Sequence, residues 1–199
     1  MYKKCELDLF PTPVSLYDLS ELDVNPLLEA IEDAETHYFH LVDGGESTFA
    51  PTARLFEDER CEVFACAIQD CLNDYCHRTG LYPLKIQESW FNKTPPGGRL
   101  ELHRHEGSAI SGAFYPLGGN VTQLQFKSPT HPYKMNDLYR NDANTPYSYG
   151  YQGLQSDKGM LVLFPSWLEH KTEKEIGDRL VVSFNSFYNP DGCYTAGYQ

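Results

Sequence analysis

Three histidines and one arginine are the residues of this chain best suited to chemistry. The segment RLELHRHE carries His103 and His105 two positions apart. On an extended strand, side chains two apart point the same way, so both imidazoles can reach one ion as neighbouring ligands. Alone, an HxH pair more often marks a half-exposed strand with two solvated rings. The segment LVLFPSWLEHKTEKEIGDRLVVSFN changes that balance, because it brings His170 just after an apolar strand and Arg179 at the start of the next. A third imidazole arriving from a distant strand completes a facial, three-ligand metal site with open coordination positions. Arg179, Val181, Ser183 and Asn185 alternate onto one face of the last strand. A guanidinium with a hydroxyl four residues on is suited to hold a carboxylate through paired hydrogen bonds. The competing reading of Arg179 is a surface charge paired with Asp178 or Glu173.

These residues need elements to position them. From Leu84 to Phe126 the apolar period is two, and KIQESWFN, RLELHRHE, SAISGAFYP and TQLQF read as strands separated by PPGG and LGGN turns. Two further strands, GMLVLFP and RLVVSFNSF, flank the charged turn TEKEIGD. Upstream, NPLLEAIEDA reads as a short helix with Asn25 as N-cap and Pro26 at the first helical position. Residues 55–78 read as an amphipathic helix ended by Thr79-Gly80. Helices first and many short strands afterwards predict a mainly β fold, an antiparallel sheet buttressed by helices and closing as a sandwich or barrel. Residues 127–158, rich in Pro, Asn, Gly and tyrosines (Tyr133, Tyr139, Tyr147, Tyr149, Tyr151), are longer than a plain connection requires and read as a substrate lid or an ordered surface loop.

Composition narrows the partners. Of 199 residues, 16 are Lys or Arg and 28 Asp or Glu, a formal net charge of −12. Nucleic acid and anionic membrane surfaces are disfavoured, since both need cations to neutralise phosphate. No apolar stretch approaches the ~18–20 residues that cross a bilayer, and MYKKCELDLF has no apolar run of the secretory kind. Cys61, Cys66, Cys71 and Cys76 fall at five-residue steps. Five residues turn a helix by about 500°, so neighbours in the series point apart and do not bridge. Cys71 falls on the apolar face and Cys66 and Cys76 on the polar one. Free thiols of a cytoplasmic protein are the expectation, ahead of a zinc site, for which no CxxC is present.

The blocks ESWFNKTPPGGRLELHRHEGSAISGAFYP, LQFKSP and GMLVLFPSWLEHKTEKEIGDRLVVSFNSF resemble the 2-oxoglutarate- and Fe(II)-dependent oxygenases of marine phages and bacteria, relatives of the prolyl 4-hydroxylases. The resemblance covers residues 87–187. It implies a double-stranded β-helix (jelly roll) with iron at its open end, in one domain over 1–199: an N-terminal extended segment and supporting helices in 1–80, the jelly-roll core in 84–187 and a tail in 188–199. It maps the first ligand onto His103, the last onto His170 and the 2-oxoglutarate-binding arginine onto Arg179. Ser183 or Tyr115 adds a hydroxyl for the cosubstrate, and Asn92, on one strand face with Trp90, offers a hydrogen bond within the cavity. The implied reaction is hydroxylation of an unactivated C–H bond of a small-molecule or peptidyl substrate by dioxygen, with release of succinate and carbon dioxide. The implied place is the cytoplasm, a host's for a phage-encoded chain.

One departure matters. The superfamily motif is HxD/E followed by a distant His, and its carboxylate position falls on His105 here. Three arrangements follow: His105 ligates directly; Glu106 reaches the metal through a bulge; or His105 is the first ligand, Gly107 stands at the carboxylate position and an exogenous anion completes the shell. Two other function classes compete. One is a three-His, cupin-like metalloenzyme that does not use 2-oxoglutarate; the other is a jelly-roll binding or structural module in which HxH is incidental.

Overall fold

Alternating small and large apolar residues along the C-terminal half can bury both faces of a sheet, and the fold uses both. In the computed structural model, which describes residues 10–119, 121–130 and 150–189, the chain runs β1 (Ser15–Asp18), α1 (Asn25–Glu32), β2 (Val42–Asp43), β3 (Glu46–Ser47), α2 (Glu62–Thr79) and β4 (Leu84–Thr94). There follow β5 (Arg99–Leu100), β6 (Ile110–Tyr115), β7 (Leu124–Lys127), β8 (Tyr151–Leu154), β9 (Met160–Pro165), β10 (His170–Lys171) and β11 (Arg179–Tyr188). The major sheet has the order β1-β9-β6-β11-β4-β3, a smaller one is β10-β7-β8, and β2 pairs with β5. Among the described residues, the pairings between these strands are antiparallel. The helix-buttressed antiparallel sheet is the one the strand pattern predicts, and its closure is the double-stranded β-helix that the resemblance implies.

The period-two pattern sorts side chains into two cores. Phe91, Ile110, Phe114, Leu161, Leu163, Val182 and Phe184 face the helices and pack on Leu27, Ile31, Phe64, Ile68, Leu72 and Tyr75. Ala113, Tyr115, Val162, Phe164 and Val181 face the other way, onto Leu124, Phe126 and Leu168. The second core is the interior of the roll. At Gly112 the helix-side face has no room for a side chain, since an added Cβ would meet the Phe184 ring at 2.1 Å. Phe184 is fully buried, so the ring cannot swing clear. Gly112→Ala is therefore expected to lower unfolding free energy by about 1–3 kcal/mol, read as a lower denaturant midpoint at unchanged slope.

Several local expectations are corrected. Asn25 opens α1 rather than capping it; Val24 holds the N-cap position with no side-chain hydrogen bond, and Pro26 does sit in the first turn. The predicted helix over 55–78 is two 3-10 turns, Leu55–Glu57 and Glu59–Cys61, followed by α2, which ends as expected at Gly80 in the left-handed conformation. Arg60 N donates to Asp58 Oδ1 and supplies the break between turns that the helical period does not register. Cys76 is buried, against the polar position expected of it, Cys71 is half-buried, and Cys66 is exposed. The four described cysteines are free thiols. RLELHRHE is a strand only at Arg99–Leu100. Tyr151 stands exposed on β8. Tyr133, Tyr139, Tyr147, Tyr149 and the segment 190–199 lie outside the described residues.

Candidate metal centre and cosubstrate pocket

His103 and His105 converge by a different route from strand alternation. His103 forms an isolated antiparallel bridge with His170, each backbone N–H donating to the other's carbonyl at 3.1 and 2.9 Å. Two residues on, the His105 N–H donates to the Ser166 carbonyl, and the chain then turns through Glu106 and Gly107. Each ring contributes one nitrogen to a set whose members all lie within 4.8 Å of one another. His170 is the buried member; the other two are half-buried. Trp90 stacks on His105, and Phe164 meets His170 edge-on at a centroid distance of 4.7 Å, so the walls are apolar.

The hydrogen bonds decide which nitrogens are free. His103 Nδ1 faces the Glu101 carbonyl at 2.8 Å and His170 Nδ1 faces the Leu168 carbonyl at 3.0 Å. A carbonyl only accepts, so both Nδ1 atoms carry the proton and both Nε2 lone pairs are open for a metal. His105 Nδ1 lies 2.7 Å from Asn185 Oδ1, the same arrangement with a side-chain amide. Burial is the main cause holding all three rings below the usual histidine range, reinforced at His105 and His170 by the neighbouring imidazoles. His105 is pulled down to about 4. The neutral form is the one that ligates. The donor set thus fits a divalent ion such as Fe(II), and it is the chain's own His-His-His, with no anionic member.

Of the three arrangements open in the sequence, this geometry brings together His103, His105 and His170. Glu106 is exposed and paired with Arg104 at 2.7 Å, away from a metal-ligating role. Gly107 lies in the turn at φ +85°, where an added Cβ would meet nothing within 4 Å.

Arg179 lines the same cavity, of about 390 Å³, as the three histidines, together with Asn92, Tyr115 and Ser183. It is 5 % exposed and paired, but with neither acid named in the surface reading. Nη1 donates to Glu175 Oε1 at 2.9 Å and to the Thr122 carbonyl at 3.3 Å; Nη2 donates to Tyr115 Oη at 2.9 Å. The Nε side of the fork has no acceptor among the described residues, which leaves one guanidinium edge for a carboxylate. Asn92 Oδ1 is likewise buried in this wall without a partner. Glu175 was not legible as a site residue, because TEKEIGD reads as a solvated charged turn. It is drawn inward by main-chain bonds to Gly97 and Gly98 on both its own N–H and carbonyl, and its Oε2 accepts from Thr122 N–H at 2.8 Å.

These features match known proteins. A family model described as "Putative 2OG-Fe(II) oxygenase" matches residues 88–185, just under half the chain and spanning all three histidines and Arg179. That segment is similar to the oxygenases the model describes. Solved oxygenases share its fold at low identity. A prolyl-4-hydroxylase from Pseudomonas putida has TM-score 0.57 and 18% identity, over 92% of this chain and 96% of its own. A prolyl hydroxylase of Trichoplax adhaerens, solved with a hypoxia inducible factor peptide fragment, has TM-score 0.59 and 13% identity, over 87% and 83%. HygX from Streptomyces hygroscopicus, solved with nickel and 2-oxoglutarate, has TM-score 0.56 and 12% identity, over 90% and 84%. By sequence alone, no curated protein is similar enough to match. The cofactors of a 2OG-Fe(II) oxygenase are Fe(II) and 2-oxoglutarate, and the matched segment offers donors suited to both. Among the described residues, no helix is long and apolar enough to cross a membrane.

Proposed function

We propose that this protein is a 2-oxoglutarate- and Fe(II)-dependent dioxygenase that hydroxylates an unactivated C–H bond and releases succinate and carbon dioxide. One observation carries the reading: a single cavity holds three imidazoles with their Nδ1 protons tied back and, in the same wall, a buried arginine with one edge open. His103, His105 and His170 would hold the iron through Nε2. Arg179 would hold the distal carboxylate of 2-oxoglutarate, with Tyr115 orienting the fork and Ser183 and Asn92 completing the wall. Bound iron, with dioxygen and 2-oxoglutarate, supplies the oxidising power. The chain's part is to orient both ligands and keep water out, which the Trp90, Phe126 and Phe164 walls support. Phe39, Phe49 and Trp90 line the same cavity in successive ring contacts, the first tilted and the second edge-to-face, an apolar approach for a small-molecule or peptidyl substrate. A reducing, cytoplasmic setting is part of the same proposal and rests on the cysteine spacing in the sequence.

The test is succinate formation from 2-oxoglutarate under air with Fe(II). Arg179→Lys keeps a cation beside Glu175 but loses the fork. Losing one charge-assisted hydrogen bond, about 1.5–3 kcal/mol, should raise the half-saturating 2-oxoglutarate concentration at least about tenfold. The iron requirement should stay within about threefold. Equal effects on both would remove Arg179 as the clamp, and indifference to 2-oxoglutarate would favour the cupin-like alternative.

A further inference from the structure

An imidazole ligates through the nitrogen that lacks a proton, so the partner of the other nitrogen decides whether the ring can bind. For His103 and His170 that partner is a backbone carbonyl and the matter is closed. For His105 it is Asn185, and a side-chain amide has two ends. Rotated by a half turn, Asn185 would present Nδ2 to the ring, move the proton to Nε2 and take away the lone pair.

What orients the amide is Glu88. Its Oε2 accepts from Asn185 Nδ2 at 2.8 Å. A carboxylate has no proton to give, so only the nitrogen end of the amide can face it, and Oδ1 must then face His105. Ser111 donates to the same Oδ1 at 2.8 Å, but a hydroxyl turns to suit either amide orientation, and it is shared with Ser166. Glu88 and Asn185 are direct cross-strand partners in the β4–β11 ladder, immediately before the bulge at Asn185–Ser186. The register itself sets them opposite.

We propose that Glu88 is a positioning residue for the metal centre: through Asn185 it fixes His105 as an Nε2 ligand and supplies, one step removed, the negative charge that three neutral imidazoles lack. This rests on the reading of His105 as a ligand. Outer partners of metal-bound histidines are worth about 10–100-fold in metal affinity, which sets the size of effect to expect.

The experiment is Mn(II) binding to the full-length, metal-free protein by titration calorimetry, with the His105 ring nitrogens followed by 15N NMR before metal is added. Glu88→Gln keeps the shape but can donate or accept, so it no longer dictates the amide. The Mn(II) dissociation constant should rise about tenfold or more, and His105, protonated at Nδ1 in the wild type, should show the Nε2–H tautomer as well. Adding Asn185→Asp to Glu88→Gln moves the carboxylate onto the ring, with the new amide at position 88 donating to it. That double variant should bind Mn(II) within about threefold of the wild type, a recovery that a merely structural role for Glu88 does not give. His105→Ala separates the two levels of the inference. If it leaves Mn(II) affinity unchanged, His105 is no ligand and the three-His reading falls. If it weakens binding while Glu88→Gln does not, or while the double variant fails to recover, the Glu88 proposal alone is overturned. Wild-type protein showing His105 protonated at Nε2 overturns it without any variant, whatever the fate of the variants' folds.

Discussion

His170→Ala is expected to lower divalent-metal affinity by at least about a hundredfold and to abolish turnover at ordinary iron concentrations. Apparent binding energies of about 10–16 kcal/mol for four-ligand zinc sites give roughly 3 kcal/mol per ligand, a factor of about a hundred. His170 is the extreme case of the three because it is the buried member, enclosed by Phe126 and Phe164. Apolar walls on that side hinder a water molecule from taking the place of the ring. The fold should survive, because the bridge that joins residue 170 to residue 103 is made by backbone atoms alone. His37, whose ring faces the Phe49 carbonyl, is the matching control: His37→Ala should leave metal affinity unchanged. Calorimetric titration of metal-free proteins checks both, and a wild-type affinity in His170→Ala would remove this residue from the centre.

Glu175→Ala should be the most destabilising substitution at the site, by about 3–5 kcal/mol, because it strands a buried guanidinium. The Glu175 side chain is 0 % exposed and the Arg179 side chain 3 %, so water cannot replace the lost partner. The change also orphans the Thr122 N–H and leaves a cavity between the Gly97–Gly98 turn and β11. Removing both charges is a different matter: replacing a buried ion pair with apolar side chains is often close to neutral. Glu175→Ala combined with Arg179→Met is therefore expected to be more stable than Glu175→Ala alone, although it gives up the proposed cosubstrate clamp. Denaturant unfolding of the four proteins in the cycle measures this directly. A double variant as unstable as the sum of the singles would show that the pair matters through packing rather than charge.

The centre was legible in the sequence to an unusual depth, but for a partly mistaken reason. His103, His105 and His170 do converge, and the jelly roll does bury Arg179 beside Tyr115. The strand invoked to align the HxH pair, however, ends at Leu100. Period two is shared by strands and by extended irregular chain, and only the backbone bonds from His103 to His170 and from His105 to Ser166 distinguish them. Glu175 escaped notice because a charged turn reads as solvated, and its inward placement depends on Gly97 and Gly98, in a distant part of the chain. Asn185 was legible as a member of the inward face of the last strand, yet its partner Glu88 is fixed by register, which a single sequence does not carry. Only the start of α1 departs among the helix ends foreseen with their caps: an Asn before a Pro is a sound capping signal, but Asn25 is the first helical residue, a one-residue shift within the usual scatter of helix ends.

The acidic balance of the chain also gains a definite meaning at the site. Against a net charge of −12, an anionic cosubstrate has to be held by a local cation, and Arg179 is buried where its neighbours leave one edge open. Glu175 takes Nη1 and Tyr115 takes Nη2, so the clamp proposed at Arg179 would be oriented before any cosubstrate arrived.

The most direct measurement is the visible absorption of the Fe(II)-loaded protein without oxygen as 2-oxoglutarate is added. A weak metal-to-ligand charge-transfer band should grow to saturation, and in Arg179→Lys the same band should appear only at higher 2-oxoglutarate. Iron bound to the wild-type protein with no such band at any 2-oxoglutarate concentration would contradict the account.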